Sequence, residues 1–251
     1  IIMKKNILVA AISFASLSAG AVFGVGPDSS GSGTQDYSFI LDSGNSFSIN
    51  RSTNTPKASG TFGGAAISNG YSPVTNTQIE AKWDYNGTML GISTGSPYLI
   101  DLTYIDNAVI GSGAKVTSNE TAIVASRNLG NGMKVFGGLR LNQFKASIYQ
   151  PTLNYTYDLD TGTSTGFALG AAYEVPQIML RASIQYNSEI KHTSAKEIET
   201  IGSTVFPAFT PDDMVAPSSM IIKLRSALSP RMLAFANWRS SQYSKFKVTG
   251  E

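Results

Sequence analysis

The chain has 251 residues, of which 42% are hydrophobic but only 14% charged, well below the roughly 25% charged residues of ordinary soluble domains. Lysine and arginine number 19 against 17 acids, and the balance is even if Lys4 and Lys5 leave with a leader, so there is no basic field for nucleic acid. Cysteine is absent, which excludes disulfides and thiolate metal sites.

Met3-Lys4-Lys5, the apolar run 7–17 and Ala19-Gly20-Ala21 stand in the order of a secretory leader, assigned to residues 1–21. Residues 22–77 are rich in Gly, Ser, Thr and Asn, with short alternations at 37–41 and 47–49. They read as a plug-like segment or a first strand, with a flexible linker as the remaining alternative.

Residues 78–251 carry period-two patterns. Ile79, Ala81, Trp83 and Tyr85 alternate with Glu80, Lys82, Asp84 and Asn86, which marks a strand with one apolar face. Asn86-Gly87 then predicts a type I′ turn into a strand with Leu90 and Ile92 outward. A longer link at 96–118 leads to a strand at 120–127 whose facing the pattern leaves open. Residues 129–132 turn the chain into a strand with Met133, Val135, Leu139 and Leu141 on one face and Lys134, Arg140 and Asn142 on the other. A second long link is expected at 147–164. Phe167, Leu169, Ala171 and Tyr173 alternate next, and a short turn at 175–177 follows. The strand from Ile178 places Leu180, Ala182, Ile184 and Tyr186 opposite Arg181, Ser183, Gln185 and Asn187. An insert at 192–217 separates it from strands at 219–228 and 231–239, which are joined at Ser229-Pro230.

Short turns thus alternate with long links between antiparallel strands, as in an outer-membrane barrel. In hydrocarbon every backbone group must be paired internally, which leaves helices and closed barrels. Arg140, Arg181, Lys223 and Arg225 all fall on the inward parity, where none bears the roughly 2–4 kcal/mol cost of a cation facing lipid. Trp83, Tyr85, Tyr173 and Tyr186 sit at strand ends, where an interface belt is expected. A secreted β-sandwich or lipocalin-like barrel reads the same parity inside out; scarce charge and the asymmetry of the connections favour the membrane. The expected fold is all-β, a transmembrane antiparallel β-barrel with eight clear strands after residue 78 and one more before them. No aromatic-ended terminal strand precedes Glu251, so further strands are expected beyond it.

The run 178–192, with Tyr186 followed by Ser188-Glu189-Ile190-Lys191-His192, resembles the tyrosine-containing strand and Ser-Glu-Val-Lys-His segment of the long-chain fatty acid transporter family (FadL-type). Residues 210–217, with Pro211 and Pro217, are similar to that family's Pro-containing entry to the next strand. Residues 237–246 are similar to its Trp-x-x-(Trp/Tyr)-Ser-x-Phe segment, and 135–140 to its Tyr-Gly-Gly-Val-Arg strand. The resemblance implies a 14-stranded barrel, about 8–10 strands of it within this chain, with an N-terminal plug. It further implies a Gram-negative outer-membrane location and uptake of long-chain fatty acids or other hydrophobic molecules. Residues 22–77 lack the family's Asn-Pro-Ala plug motif.

For such a transporter the candidate capture residues are Val205, Phe206, Phe209, Met214 and Val215, in the long insert richest in large apolar side chains. Arg181 and Arg225 are candidates to meet a carboxylate head in the lumen, and pairing with lumen acids such as Glu174 is the equally weighted alternative. The expected partners are a hydrophobic small molecule and outer-membrane lipid, with the barrel a monomer. No cofactor, metal or enzymatic chemistry is expected: the lone histidine, His192, reads as a solvated residue at a loop base. The rival functions are a general hydrophilic porin and a structural or adhesin barrel.

Overall fold

In the computed structural model the described residues are 35–55, 60–62, 65–67, 72–103, 113–151, 154–193, 196–207, 213–229, 232–242 and 248–249. The expected leader at 1–21, Phe209 and Pro230 lie outside them.

The described chain is almost entirely strand, and its helical geometry is limited to short 3₁₀ turns such as Ser38–Leu41 and Pro176–Ile178. Strand β1 (Ser46–Asn54) is followed by a small hairpin, β2 (Gly60–Phe62) with β3 (Ala65–Ile67). Then come β4 (Val74–Tyr85), β5 (Thr88–Gly95), β6 (Leu99–Thr103) and β7 (Gly113–Gly130). The longest strands are β8 (Met133–Gln150) and β9 (Tyr155–Val175), after which β10 (Leu180–Asn187) returns. The insert holds β11 (Ile190–Thr193), β12 (Lys196–Ile201), β13 (Thr204–Pro207) and β14 (Asp213–Ala216). Finally β15 (Ser219–Ser229), β16 (Met232–Ser241) and β17 (Val248–Thr249) complete the order.

Nine of these strands form one antiparallel wall in the order β1-β4-β5-β7-β8-β9-β10-β15-β16, curled as a half-barrel. These are the eight strands expected after residue 78 and the one before them. Asn86 and Gly87 both take positive φ, as a type I′ turn demands, and Asn131 does so at the next short turn. Outward positions are apolar and open: Trp83, Leu139, Leu169, Tyr173, Ile184, Tyr186 and Ile222 are all exposed. Their neighbours on the opposite parity, Arg140, Asn142, Gln185 and Asn187, are buried inside the curve. The strand at 120–127 takes the same parity, with Ile123 out and Glu120, Ala122 and Val124 in.

The described residues of three expected links are largely strand. Residues 147–164 continue β8 and β9 in one ladder from Met133↔Tyr173 to Gln150↔Tyr155. The link at 96–118 contains β6 and the first part of β7, paired from Leu99↔Thr117 to Thr103↔Gly113. Within the insert at 192–217, residues 196–207 join the wall, since β12 pairs with the outer half of β9 and β13 with β12, while β14 pairs with β11 in a separate sheet. The strand expected from Ile178 begins at Leu180, because Pro176–Ile178 is a 3₁₀ turn closed by Met179 in the left-handed region.

The polarity of the wall reverses along the long strands. Beyond Asn142 the inward side chains of β8 become apolar, with Phe144, Ala146 and Ile148, and the outward ones become polar, with Lys145 and Ser147. On β9 a bulge at Gly162, whose φ is +63°, shifts the parity so that Tyr155, Tyr157 and Leu159 point in and Asp158 and Asp160 out. This is why 147–164 looks like a polar loop in sequence: its exposed half is polar, and its apolar half faces the barrel interior.

Candidate functional site

The candidate site is the concave face of the wall. It has three storeys: an apolar seat near the short turns, a polar girdle, and at the other end, the mouth of the curve, a packed and buried apolar cluster.

Residues 35–42 run along this face as a strap. Their apolar side chains Tyr37, Phe39, Ile40 and Leu41 pack on Met89, Ala122, Val124, Phe136, Ala168 and Ala172. Gly91 leaves the room required, since a Cβ there would lie 2.7 Å from Ile40 Cδ1. Polar groups of the strap bond to the wall along its whole length. Gln185 Nε2 donates to Gln35 O at 2.5 Å, and Asn187 Nδ2 to the same oxygen at 3.1 Å. Lys223 pairs with Asp36 and donates to Ser38 Oγ at 3.0 Å. Ser126 Oγ donates to Ile40 O at 2.8 Å, Lys134 Nζ to Leu41 O at 2.7 Å, and Lys82 Nζ to Asp42 O at 2.5 Å.

The girdle is centred on a buried ion pair. Arg140, with no exposed surface, donates to both oxygens of Glu120, at 3.2 and 2.7 Å, and to Ser188 O at 2.8 Å. Asn142 Nδ2 adds a bond to Glu120 Oε2 at 3.0 Å, and the Tyr37 hydroxyl one to Oε1 at 2.5 Å. A buried charge is tolerable only when paired and saturated in this way.

The mouth is the cluster Tyr98, Phe144, Ile148, Tyr155, Tyr157, Leu159, Ile190, Met214 and Ala216. Tyr98 and Phe144 lie with ring centroids 5.3 Å apart, and His192 stands edge-on to Phe144 at 5.0 Å. His192 is therefore buried, not solvated: its strand β11 lies inside the extended rim formed by β8 and β9. Its Nδ1 meets Thr161 Oγ1 at 3.3 Å, and among the described residues Nε2 has no hydrogen-bond partner. Burial pushes the imidazole down to about 4, with Glu120 opposing and Arg140 adding to the shift.

The residues expected from sequence are dispersed. Val205 is exposed and Phe206 half-buried on β13, at the outer edge of the wall. Met214, expected on an exposed loop, is buried in the mouth cluster, because β14 pairs with β11 inside the rim. Val215 is half-buried next to it. Arg181 and Arg225 lie opposite one another in the ladder. Arg181 is held by Glu174 at 2.5 Å and Asp42 at 2.6 Å, whereas Arg225 reaches, among the described residues, only Asp42, at 4.0 Å. Sequence reasoning missed Tyr98, Glu120 and the strap. The signal for the strap was the excess of inward cations over inward acids on the strands, which calls for acids from elsewhere.

No protein family and no curated protein matches the chain. Among solved structures it is similar to the Ralstonia pickettii toluene transporter TbuX, with a TM-score of 0.57 and 12% identity over 87% of this chain and 66% of that one. It is likewise similar to the deltaS2S3 mutant of the monoaromatic hydrocarbon channel TodX, with a TM-score of 0.55 and 11% identity over 82% and 63% of the two chains. The chain therefore spans just under two thirds of the length of these proteins, and at such identities the likeness is one of fold.

Proposed function

We propose that this chain forms much of the wall of an outer-membrane channel that admits hydrophobic small molecules, delivered to the membrane by the leader at 1–21 and acting as a monomer without enzymatic chemistry. The observation that carries this reading is the pairing of an apolar outer surface with an interior whose mouth is lined by aromatic and aliphatic side chains. Apolar cargo gains roughly 25 cal/mol per Å² on entering such a mouth. Val205 and Phe206 at the outer edge, with Met214 and Val215 deeper, form the entry path, and Phe209 belongs to the same insert.

A general hydrophilic porin needs an open aqueous lumen, and the strap stitched across the concave face argues against one. A long-chain fatty acid is the form of cargo that would use the arginines. Arg225 is the better placed for its carboxylate, since Arg181 is already held by two acids. The test is uptake by the protein in liposomes of toluene, of a fluorescent long-chain fatty acid, and of sucrose as the hydrophilic control. Entry of either hydrophobe without sucrose-driven swelling is expected; swelling without hydrophobe entry would sink the proposal. Arg225→Gln should weaken entry of the acid and leave toluene unchanged.

A further inference from the structure

Above the apolar belt, on the outward face of the wall, lies a groove of about 390 Å³ whose polar walls include Lys115, Lys145, Lys196, Asp158 and Asp160. The ladder arranges them in two rows. Thr117, Lys145, Asp160 and Lys196 stand side by side on β7, β8, β9 and β12, with Lys115, Ser147, Asp158 and Ile198 in the next row out. The groove exists because β12 folds back onto β9 and widens the wall at this level.

The three amines are not equally engaged. Lys145 Nζ lies 3.2 Å from Asp160 Oδ2, and Lys115 Nζ 3.6 Å from Asp101 Oδ2. The other oxygen of Asp160 accepts from Gln143 Nε2 at 2.8 Å and from the Gly162 N–H at 3.0 Å, so this carboxylate is fixed by three donors and holds Lys145 in place. Lys196, which is exposed, forms no ion pair among the described residues. Asp158 stands between Ser147 and Ile198.

The groove continues the parity of the lipid-facing residues. Leu139 and Leu141 lie below Lys145 on the same face of β8, with only Gln143 between. Ammonium groups at the first charged level above hydrocarbon meet head groups rather than acyl chains or bulk water. Lysine binds phosphate as a point charge with three donors.

We propose that this groove binds the phosphorylated head group of an outer-leaflet glycolipid, with Lys115, Lys145 and Lys196 on phosphate oxygens and Asp158 accepting from a sugar hydroxyl. The inference rests on the reading of the chain as a membrane barrel, and is independent of what the barrel transports.

The experiment is native mass spectrometry of the detergent-solubilised protein titrated with diphosphorylated lipid A, with fully dephosphorylated lipid A and inorganic phosphate as the two comparison probes. Lys196→Gln, which breaks no ion pair among the described residues, and the double variant with Lys145→Gln should bind diphosphorylated lipid A at least tenfold more weakly. Arg127→Gln, an outward cation at the short-turn end, should bind as the unaltered protein does. The dephosphorylated lipid should bind no better to the unaltered protein than to the double variant, and inorganic phosphate should not compete at equimolar concentration. Equal lipid affinity for Lys196→Gln and the unaltered protein would overturn the assignment, as would equal loss in Arg127→Gln, equal binding of the dephosphorylated lipid, or competition by phosphate. A protein that binds the lipid as expected yet admits no hydrophobe refutes the transport reading and supports this one.

Discussion

The Tyr37 hydroxyl donates to Glu120 Oε1 at 2.5 Å, joining the strap to the acid that neutralises the buried Arg140. One side chain thus belongs both to the apolar seat and to the polar girdle.

Removing either partner should therefore have unequal effects. Tyr37→Phe leaves Glu120 bonded to Arg140 and Asn142, and should cost about 1–2 kcal/mol. Glu120→Ala strands a buried guanidinium and should cost about 3–5 kcal/mol. Urea unfolding in lipid vesicles, followed by tryptophan fluorescence, measures both; equal losses would contradict the ranking.

The strap should also limit conductance. Asp36 and Asp42 carry its ion pairs to Lys223, Arg181 and Arg225. Asp36→Asn with Asp42→Asn should raise the single-channel conductance of the protein in planar bilayers severalfold, while heat-modifiable gel mobility shows the fold intact. An unchanged conductance would mean that the apolar seat alone holds the strap.

Stability should fall with acid in a window set by His192. The unfolded imidazole takes a proton near pH 6.5, whereas the buried one stays neutral until about 4. A folded value below the unfolded one means that stability is full above about pH 6.5 and is lost as pH falls toward 4, by up to about 3 kcal/mol. His192→Phe should flatten unfolding free energy between pH 7 and 4.5; an unaltered slope would assign the loss to other groups.

Trp83 and Trp238 are the two tryptophans of the chain, and both are exposed on the outward face. Brominated acyl chains should quench both, and for Trp83, which lies close to the Asn86 turn, chains brominated near the head group should quench more strongly than chains brominated near the bilayer centre. Absence of quenching by any brominated lipid would remove the membrane from the picture.

The wall was legible in the sequence because hydrocarbon outside and polar groups inside impose strict alternation, as at Ile184 and Gln185. The rim was not, because beyond Asn142 the two faces exchange character and a one-residue bulge at Gly162 breaks the period. The strap was hidden for another reason. The short alternation at 37–41 folds as a 3₁₀ turn and not as a strand, and the bonds of 35–42 reach Glu120, Gln185 and Lys223, which lie 83, 148 and 185 residues from their partners. Arg181 had two readings in sequence, ligand contact or pairing with Glu174, and only the folded register shows Asp42 beside it as well.

The exchange of faces along β8 also fixes how thick a bilayer the protein tolerates. From Met133 to Leu141 the strand, at ~3.3 Å per residue and a tilt of ~40°, rises roughly 20 Å, close to the ~25 Å apolar band of outer-membrane barrels. In a thicker bilayer Lys145 and Asp160 would be drawn into acyl chains, and the lysine alone would cost a few kcal/mol near the midplane and less toward the edge. Hydrophobic mismatch then sorts the chain toward thin membranes. The outward lysines act as a depth stop, setting the level at which the barrel floats.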